Sequence, residues 1–266
     1  MRWQSVAVGY VAYLAIVSLT QPRFTRARRP LLLAAAAAAA LVAVTFAAAD
    51  SAPSPPALAV AVPAAVLLAG YWLSGLLFVE PDVRLERWLR AVDDTILGRS
   101  GALDWFRRAP RAVIEYLELS YLLVYIVVPA GALTLMLGGH PDEVERFWTV
   151  VLLAEFACYA MLPWIQTRPP RAVEGAPSDA RPLLIRSLNL AIVNRASIQV
   201  NTLPSGHTAG AMATALAVGS TMPAAGAVFL VFAASIAVAA VLGRYHYVVD
   251  SVLGLLVAAI AWAIST

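Results

Sequence analysis

The chain has 266 residues, 61% of them hydrophobic and 13% charged, with a mean hydropathy of +0.76 and a net charge of +3. A soluble domain carries roughly 45–50% apolar and about 25% charged residues, so this balance excludes a soluble enzyme and a disordered chain. The single cysteine, Cys158, excludes an internal disulfide, and arginines scattered between apolar runs exclude a nucleic-acid groove.

What remains is an all-α, polytopic membrane protein. A span needs roughly 20 apolar residues, so this length holds about six to eight of them. The first runs over 3–19. Only Arg2 precedes it and Arg23, Arg26, Arg28 and Arg29 follow, which is the reverse of a cleaved signal peptide. The second, 31–49, is almost pure alanine, leucine and valine, and a Pro/Ser-rich turn at 50–56 leads to the third, 57–79.

Residues 80–111 differ. Val83, Leu85, Trp88, Leu89, Val92, Ile96 and Leu97 recur at helical spacing, while Arg84, Glu86, Arg87, Arg90, Asp93 and Asp94 fill the other face. That pattern predicts an amphipathic helix at the membrane interface. Spans at 112–137 and 147–165 follow, then a polar stretch, 167–201, with a helix over 182–194. The last spans, 206–222, 223–242 and 245–264, have very short connections and must pack as antiparallel neighbours.

Eight spans put every arginine except Arg2 and Arg146 on one side, which the positive-inside rule makes cytoplasmic. A bacterial cytoplasmic membrane is the expected location. Polar residues at span ends are costly near hydrocarbon and need a partner or a purpose. Three clusters fall on the arginine-rich side. In Thr167-Arg168-Pro169-Pro170-Arg171, two arginines on a proline-stiffened segment suit phosphate oxygens. In Pro204-Ser205-Gly206-His207, Gly206 admits close backbone approach, Ser205 adds a hydrogen bond, and the helix N-terminus favours an anion. His207 follows in the first helical turn, where it can carry a proton.

The third cluster is Arg244-Tyr245-His246-Tyr247-Val248-Val249-Asp250. His246 and Asp250 are i and i+4, so Asp250 can hold Nδ1 and leave Nε2 free as a nucleophile. The arginines beside these groups favour an anionic ligand over a cation, so no metal and no other cofactor is expected. His140, on the opposite side, reads as an ordinary loop residue. Together the clusters describe a phosphoester site: Arg168, Arg171, Ser205, Gly206 and Arg244 binding substrate, His246 attacking phosphorus, His207 as acid and base, and Asp250 orienting His246.

With these motifs the sequence resembles the type 2 phosphatidic acid phosphatase superfamily, over residues 57–264. Pro204–His207 matches the family's second motif, and His246 with Asp250 matches the His-x-x-x-Asp of its third. The resemblance implies a six-span catalytic core at 57–266 preceded by two N-terminal spans at 1–56. It also implies His246 as nucleophile, Asp250 as its partner and His207 as general acid. Two positions depart from the family pattern: Met161 stands where the first motif usually has lysine, and Ala240 where the third usually has arginine. The Pro-Pro-Arg and His-Tyr-x-x-Asp wording is closer to the branch containing inositolphosphorylceramide synthases, which transfer a phosphorylated headgroup to an alcohol. The family's usual site faces away from the cytoplasm, opposite to the arginine count here.

The leading expectation is a lipid phosphatase acting on a membrane-bound phosphate monoester or diphosphate, such as a phosphatidate or a polyprenyl phosphate. Its partners are that lipid and the bilayer, whose anionic headgroups the amphipathic 80–111 segment would gather. The alternatives are a lipid phosphotransferase with the same phosphohistidine chemistry, and a transporter using Glu115, Glu118 and Glu155 as a proton path.

Overall fold

The structure is a computed structural model that describes residues 2–49, 56–174 and 183–265, so the turn expected at 50–56 lies almost entirely outside the described residues. Among these residues there are 13 α-helices and no strand beyond one isolated bridge, Thr167 to Asn201. In chain order the helices are α1 (Trp3–Thr20), α2 (Arg28–Ala49), α3 (Pro56–Gly75), α4 (Val83–Asp93), α5 (Ala102–Arg108), α6 (Arg111–Leu122) and α7 (Val124–Leu137). Then come α8 (Val144–Ala160), α9 (Pro170–Glu174), α10 (Leu184–Ala196), α11 (Gly206–Thr221), α12 (Pro223–Leu242) and α13 (Val248–Ala263).

Among the described residues three helices, α1, α3 and α12, are long and apolar enough to cross a bilayer, and the α6–α7 pair makes a fourth if it is one bent span. Leucine and isoleucine side chains stand out from these helices and from α13, including Ile16, Leu58, Leu230 and Ile260. An outward apolar face suits helices whose solvent is lipid. Inside, α11 is the central helix and packs against α7, α8, α12 and α13. It is built from small residues: Ala209, Ala211 and Ala213 are fully buried, which lets its neighbours approach closely.

Helix direction follows from contacts at the two ends. Arg2 meets Glu145 at 4.0 Å where α1 and α8 begin. Near their other ends, the Tyr13 hydroxyl donates to the Ala160 carbonyl (2.7 Å) and Arg23 to the Pro163 carbonyl (2.8 Å). These two helices therefore run parallel.

The expected single span over 112–137 is instead two helices bent by 61°. Pro129, which leaves the Tyr125 carbonyl without its helical donor, lies inside α7, beyond the break. The break goes with the acids of α6. Glu115 and Glu118, which a straight span would carry into lipid, turn instead to α10. Glu115 accepts from the Leu184 and Ile185 N–H groups, both at 2.9 Å, and so caps that helix. Glu118 accepts from Asn189 (2.7 Å), Arg186 (3.3 Å) and the Tyr245 hydroxyl (2.7 Å). Two of the three carboxylates expected as a proton path thus have structural partners.

The 80–111 segment is helical, as its spacing predicts, and Leu89 and Leu97 of the expected apolar stripe are buried while Arg84, Arg87 and Asp94 are exposed, but the inward face is mixed. Val83, Trp88 and Ile96 are exposed, whereas Glu86 and Asp93 are buried. The reason is electrostatic: these two acids, two turns apart on one face, each pair with an arginine, Glu86 with the half-buried Arg168 and Asp93 with the buried Arg244. Asp82 caps the helix by accepting from the Arg84 and Leu85 N–H groups at 2.9 and 3.1 Å.

Candidate active site

The three motif segments meet at one end of the bundle. The segment after α8 carries Arg168 and Arg171, the start of α11 carries Ser205, Gly206 and His207, and the turn before α13 carries Arg244 and His246. Backbone bonds tie them together. The Arg171 N–H donates to the Arg244 carbonyl (3.0 Å), the Ser205 N–H to the Asp250 carbonyl (2.9 Å), and the Asn201 N–H to the Thr167 carbonyl (2.9 Å). Gly254 is what permits the second contact. A Cβ there would lie 2.6 Å from the Ser205 carbonyl oxygen, so any larger residue would separate α13 from the start of α11.

A cavity of about 20 Å³ lies at this junction, lined by His207, His246, Arg171, Thr202, Tyr121 and Tyr245 among others. The two imidazole rings are 5.4 Å apart, centre to centre. His207 stacks on Tyr121 at 5.3 Å, and Tyr121 stacks in turn on Tyr245 at 3.8 Å. The Arg171 guanidinium sits 5.3 Å from the centre of the Tyr245 ring. This aromatic column fixes His207 and Arg171 without competing for their hydrogen bonds.

Asp250 stands behind His246. Its Oδ2 is 3.4 Å from Nδ1 and accepts the Tyr247 N–H at 2.9 Å. Nδ1 is buried and makes no hydrogen bond, Asp250 being its nearest charged neighbour. Burial, reinforced by the Arg171 charge, pushes the His246 pKa down to about 3. Its ring is therefore neutral at ordinary pH and keeps a lone pair. Ser205 is fully buried and caps α11, its Oγ accepting the Thr208 N–H at 3.3 Å. Gly206 donates its N–H to Thr202 Oγ1 at 3.3 Å. Neither lines the cavity; from the first turn of α11 it is His207 that does.

The other two arginines expected to bind substrate are held by carboxylates. Arg168 forms a two-pronged pair with Glu86: Nε to Oε1 at 3.0 Å and Nη2 to Oε2 at 2.8 Å, with the Arg168 N–H donating to Oε1 at 2.8 Å. Burial alone would raise the Glu86 carboxyl, but the bonds and charge of Arg168 hold it below its ordinary value. Arg244 bonds Asp93 at 2.6 Å and is paired by both oxygens of Glu174. Asp93 also accepts the Val248 N–H at 2.9 Å, although burial still leaves its pKa raised. These bonds hold Arg244 in a left-handed conformation, with φ of 62°. Helix α4 thus clasps both the arginine segment and the His246 turn through Glu86 and Asp93.

The motif reading did not include the tyrosines. Tyr121 and Tyr125 stand on either side of the α6–α7 bend, and Tyr245 lies between Arg244 and His246. Their i, i+4 spacing and the Tyr-His-Tyr run were the available signals. At the position where the family usually has arginine, Ala240 is buried, and its carbonyl accepts the N–H groups of both Tyr245 and His246 at 2.9 Å. Met161, at the usual lysine position, is partly exposed beyond α8. No three His, Cys, Asp or Glu side chains converge as a metal-ligand group among the described residues.

The family model of the PAP2 superfamily matches residues 86–264, from α4 through α13. Neither the curated proteins nor the solved structures contain a match. The matched region holds all three motif segments, and members of the superfamily are phosphatases. With the match spanning more than half of its length, the chain belongs to the PAP2 superfamily.

Proposed function

We propose that the protein is an integral membrane lipid phosphatase that works through a phosphohistidine on His246. The observation that carries this reading is the pairing of His246 with His207, rings 5.4 Å apart, across a cavity that Arg171 also lines. Arg171 holds the phosphoryl oxygens, where a fixed donor stabilises developing charge, and Ser205 and Gly206 shape the start of α11 that presents His207 to them. Nε2 of His246 forms a bond to phosphorus as the ester P–O bond breaks. His207 gives its proton to the departing oxygen. It then takes a proton from water, whose oxygen bonds phosphorus as the N–P bond breaks. Asp250 keeps the proton on Nδ1, so that Nε2 is the attacking atom.

The substrate is a phosphate monoester or diphosphate of a lipid, and the protein carries about eight spans, with α6–α7 and the shorter α8, α11 and α13 crossing beside α1, α2, α3 and α12. The catalytic core begins at α3, whose Tyr71 lines the cavity, and α1 and α2 form the N-terminal pair. A second reading, transfer of the phosphoryl-bearing group to an alcohol, draws support from a larger apolar cavity adjoining His207, which offers room for an acceptor. Rapid acid-free quenching of the His207→Ala variant after mixing with a lipid phosphate bearing a good leaving group tests the intermediate. Mass spectrometry should find phosphate on the peptide containing His246. Phosphate on another residue, or none during measurable turnover, contradicts the mechanism.

A further inference from the structure

The larger cavity, about 130 Å³, lies between α3, α7 and α8 and ends at His207. Most of its wall is apolar, including Leu67, Val124, Val128 and Pro129, and its outer edge reaches the partly exposed Leu68 and Tyr125. It shares Tyr71, Tyr125 and His207 with the smaller cavity. One molecule can therefore occupy both, with its phosphate beside Arg171 and its lipid part toward α3 and α7.

One group does not fit an apolar slot: Glu155, from the middle of α8. It is buried, at 4% exposed, and lines this cavity. Its Oε2 accepts the Tyr159 hydroxyl. A carboxyl has acceptor sites for several donors, and Tyr159 supplies one. The facing helix is shaped to admit it. A Cβ on Gly210 would lie 2.0 Å from Glu155 Oε1, and one on Gly206 would lie 2.8 Å from Oε2. Two glycines one turn apart thus leave a niche for the carboxyl beside the backbone that carries His207. An ionisable group inside a membrane helix is costly, and a site that keeps one uses it.

Resting on the phosphoester reading above, we infer that this cavity is a subsite for a hydroxyl-bearing portion of a lipid, with Glu155 as its hydrogen-bond partner. A second phosphate is excluded there, because a carboxylate repels an anion and no arginine lines the cavity. A hydroxyl suits both states of the carboxyl, donating to the ionised form and donating or accepting with the neutral one. The hydroxyl can belong to the phosphate-bearing lipid itself or to an alcohol that enters as acceptor. Glu155 is in this account a specificity residue, leaving the phosphorus chemistry to the histidines.

The test compares an alkyl phosphate with hydroxylated counterparts of the same chain length, using purified full-length protein in detergent. Hydrogen bonds of this kind shift discrimination by about 10- to 100-fold. Wild type should favour a hydroxylated substrate by that factor in kcat/KM. Glu155→Leu should abolish the preference while changing the plain substrate less than about threefold, and the near-isosteric Glu155→Gln should reduce it. Equal preference in wild type and Glu155→Gln, parallel loss on both substrates in Glu155→Leu, or no preference in wild type would each overturn the inference. If Glu155→Leu does not fold, Glu155→Gln alone carries the comparison. Adding a long-chain diol in place of the hydroxylated phosphate separates the sources: a new phosphoester of the diol assigns the subsite to an acceptor, and its absence assigns it to the substrate. Calorimetric binding of plain and hydroxylated alkyl phosphonates to His246→Ala reads the cavity without turnover. The phosphatase reading can then fail on phosphate release while the subsite stands on binding, or the reverse.

Discussion

His246 and the three motif arginines carry the sharpest consequences at the scale of single residues. With its pKa pushed down to about 3 by burial and Arg171, His246 is neutral when folded, whereas an unfolded histidine titrates near 6.5. Between those values the unfolded state binds more protons, so stability falls as pH drops below about 6.5. At pH 5 this one group costs about 2 kcal/mol. Thermal unfolding in detergent should therefore show a smaller acid-side decline in His246→Asn than in wild type; identical declines would mean the ring is protonated in the folded protein. The arginines divide by their surroundings. Arg171 faces the histidines, while Arg168 and Arg244 are occupied by Glu86, Asp93 and Glu174. Arg171→Ala should lower kcat/KM by about 10- to 100-fold through lost charged hydrogen bonds without loss of fold. Arg244→Ala should instead lower the unfolding temperature, because it strands the buried Asp93, whereas Glu174 keeps Arg90. The sequence offered all three arginines as equal phosphate ligands. It could not separate them, since their carboxylate partners lie far away in the chain.

Among elements, α4 is the one whose role differs most from its sequence pattern. The helical spacing and the burial of Leu89 and Leu97 were legible, but the two acids that share their inward face were not. Glu86 and Asp93 are buried there because each pairs with an arginine, whereas Val83 and Trp88 stay exposed. Asp93→Ala removes one partner of a buried pair and should cost about 3–5 kcal/mol of stability. Arg87→Ala, on the exposed face, should stay within about 0.5 kcal/mol of wild type. Denaturation of both variants in parallel checks this, and equal stabilities would show that α4 is only loosely attached. The α11–α13 contact is tested by Gly254→Ala. Its methyl would meet the Ser205 carbonyl, so overpacking should cost about 1–3 kcal/mol and move His246 away from His207, lowering kcat more than it raises KM. The bend at Leu123 was not legible either. Residues 112–137 read as one apolar run, and only Glu115 and Glu118 together with their distant α10 partners explain why the chain turns.

For the molecule as a whole, the sequence made two things readable: the helical, apolar character and the gathering of three motifs at one end. Both follow from local signals, namely composition, span-end polarity and the i, i+4 spacing of His246 and Asp250. The aromatic column and the Glu155 cavity depend on which helices lie side by side, and one sequence does not contain that information. The parallel course of α1 and α8 agrees with an alternating eight-span path, in which the 138–143 turn and the active-site end face opposite sides of the membrane. Because Cys158 is fully buried, a cysteine introduced at Asp142 or at Asp104 can be labelled against a quiet background. In sealed vesicles an impermeant thiol reagent should reach one of the two from outside and the other only after permeabilisation. Labelling of both from the same side would break the alternating path.

The account stands or falls on His246 as the group that takes phosphate from a lipid. The most direct measurement is inorganic phosphate release from a panel of lipid phosphates by purified wild-type protein in detergent without added metal, beside His246→Ala with its fold verified. The account predicts release by wild type from at least one lipid phosphate and loss of at least about a thousandfold in the variant, as for removal of a catalytic nucleophile. Comparable release from a folded His246→Ala protein would contradict it.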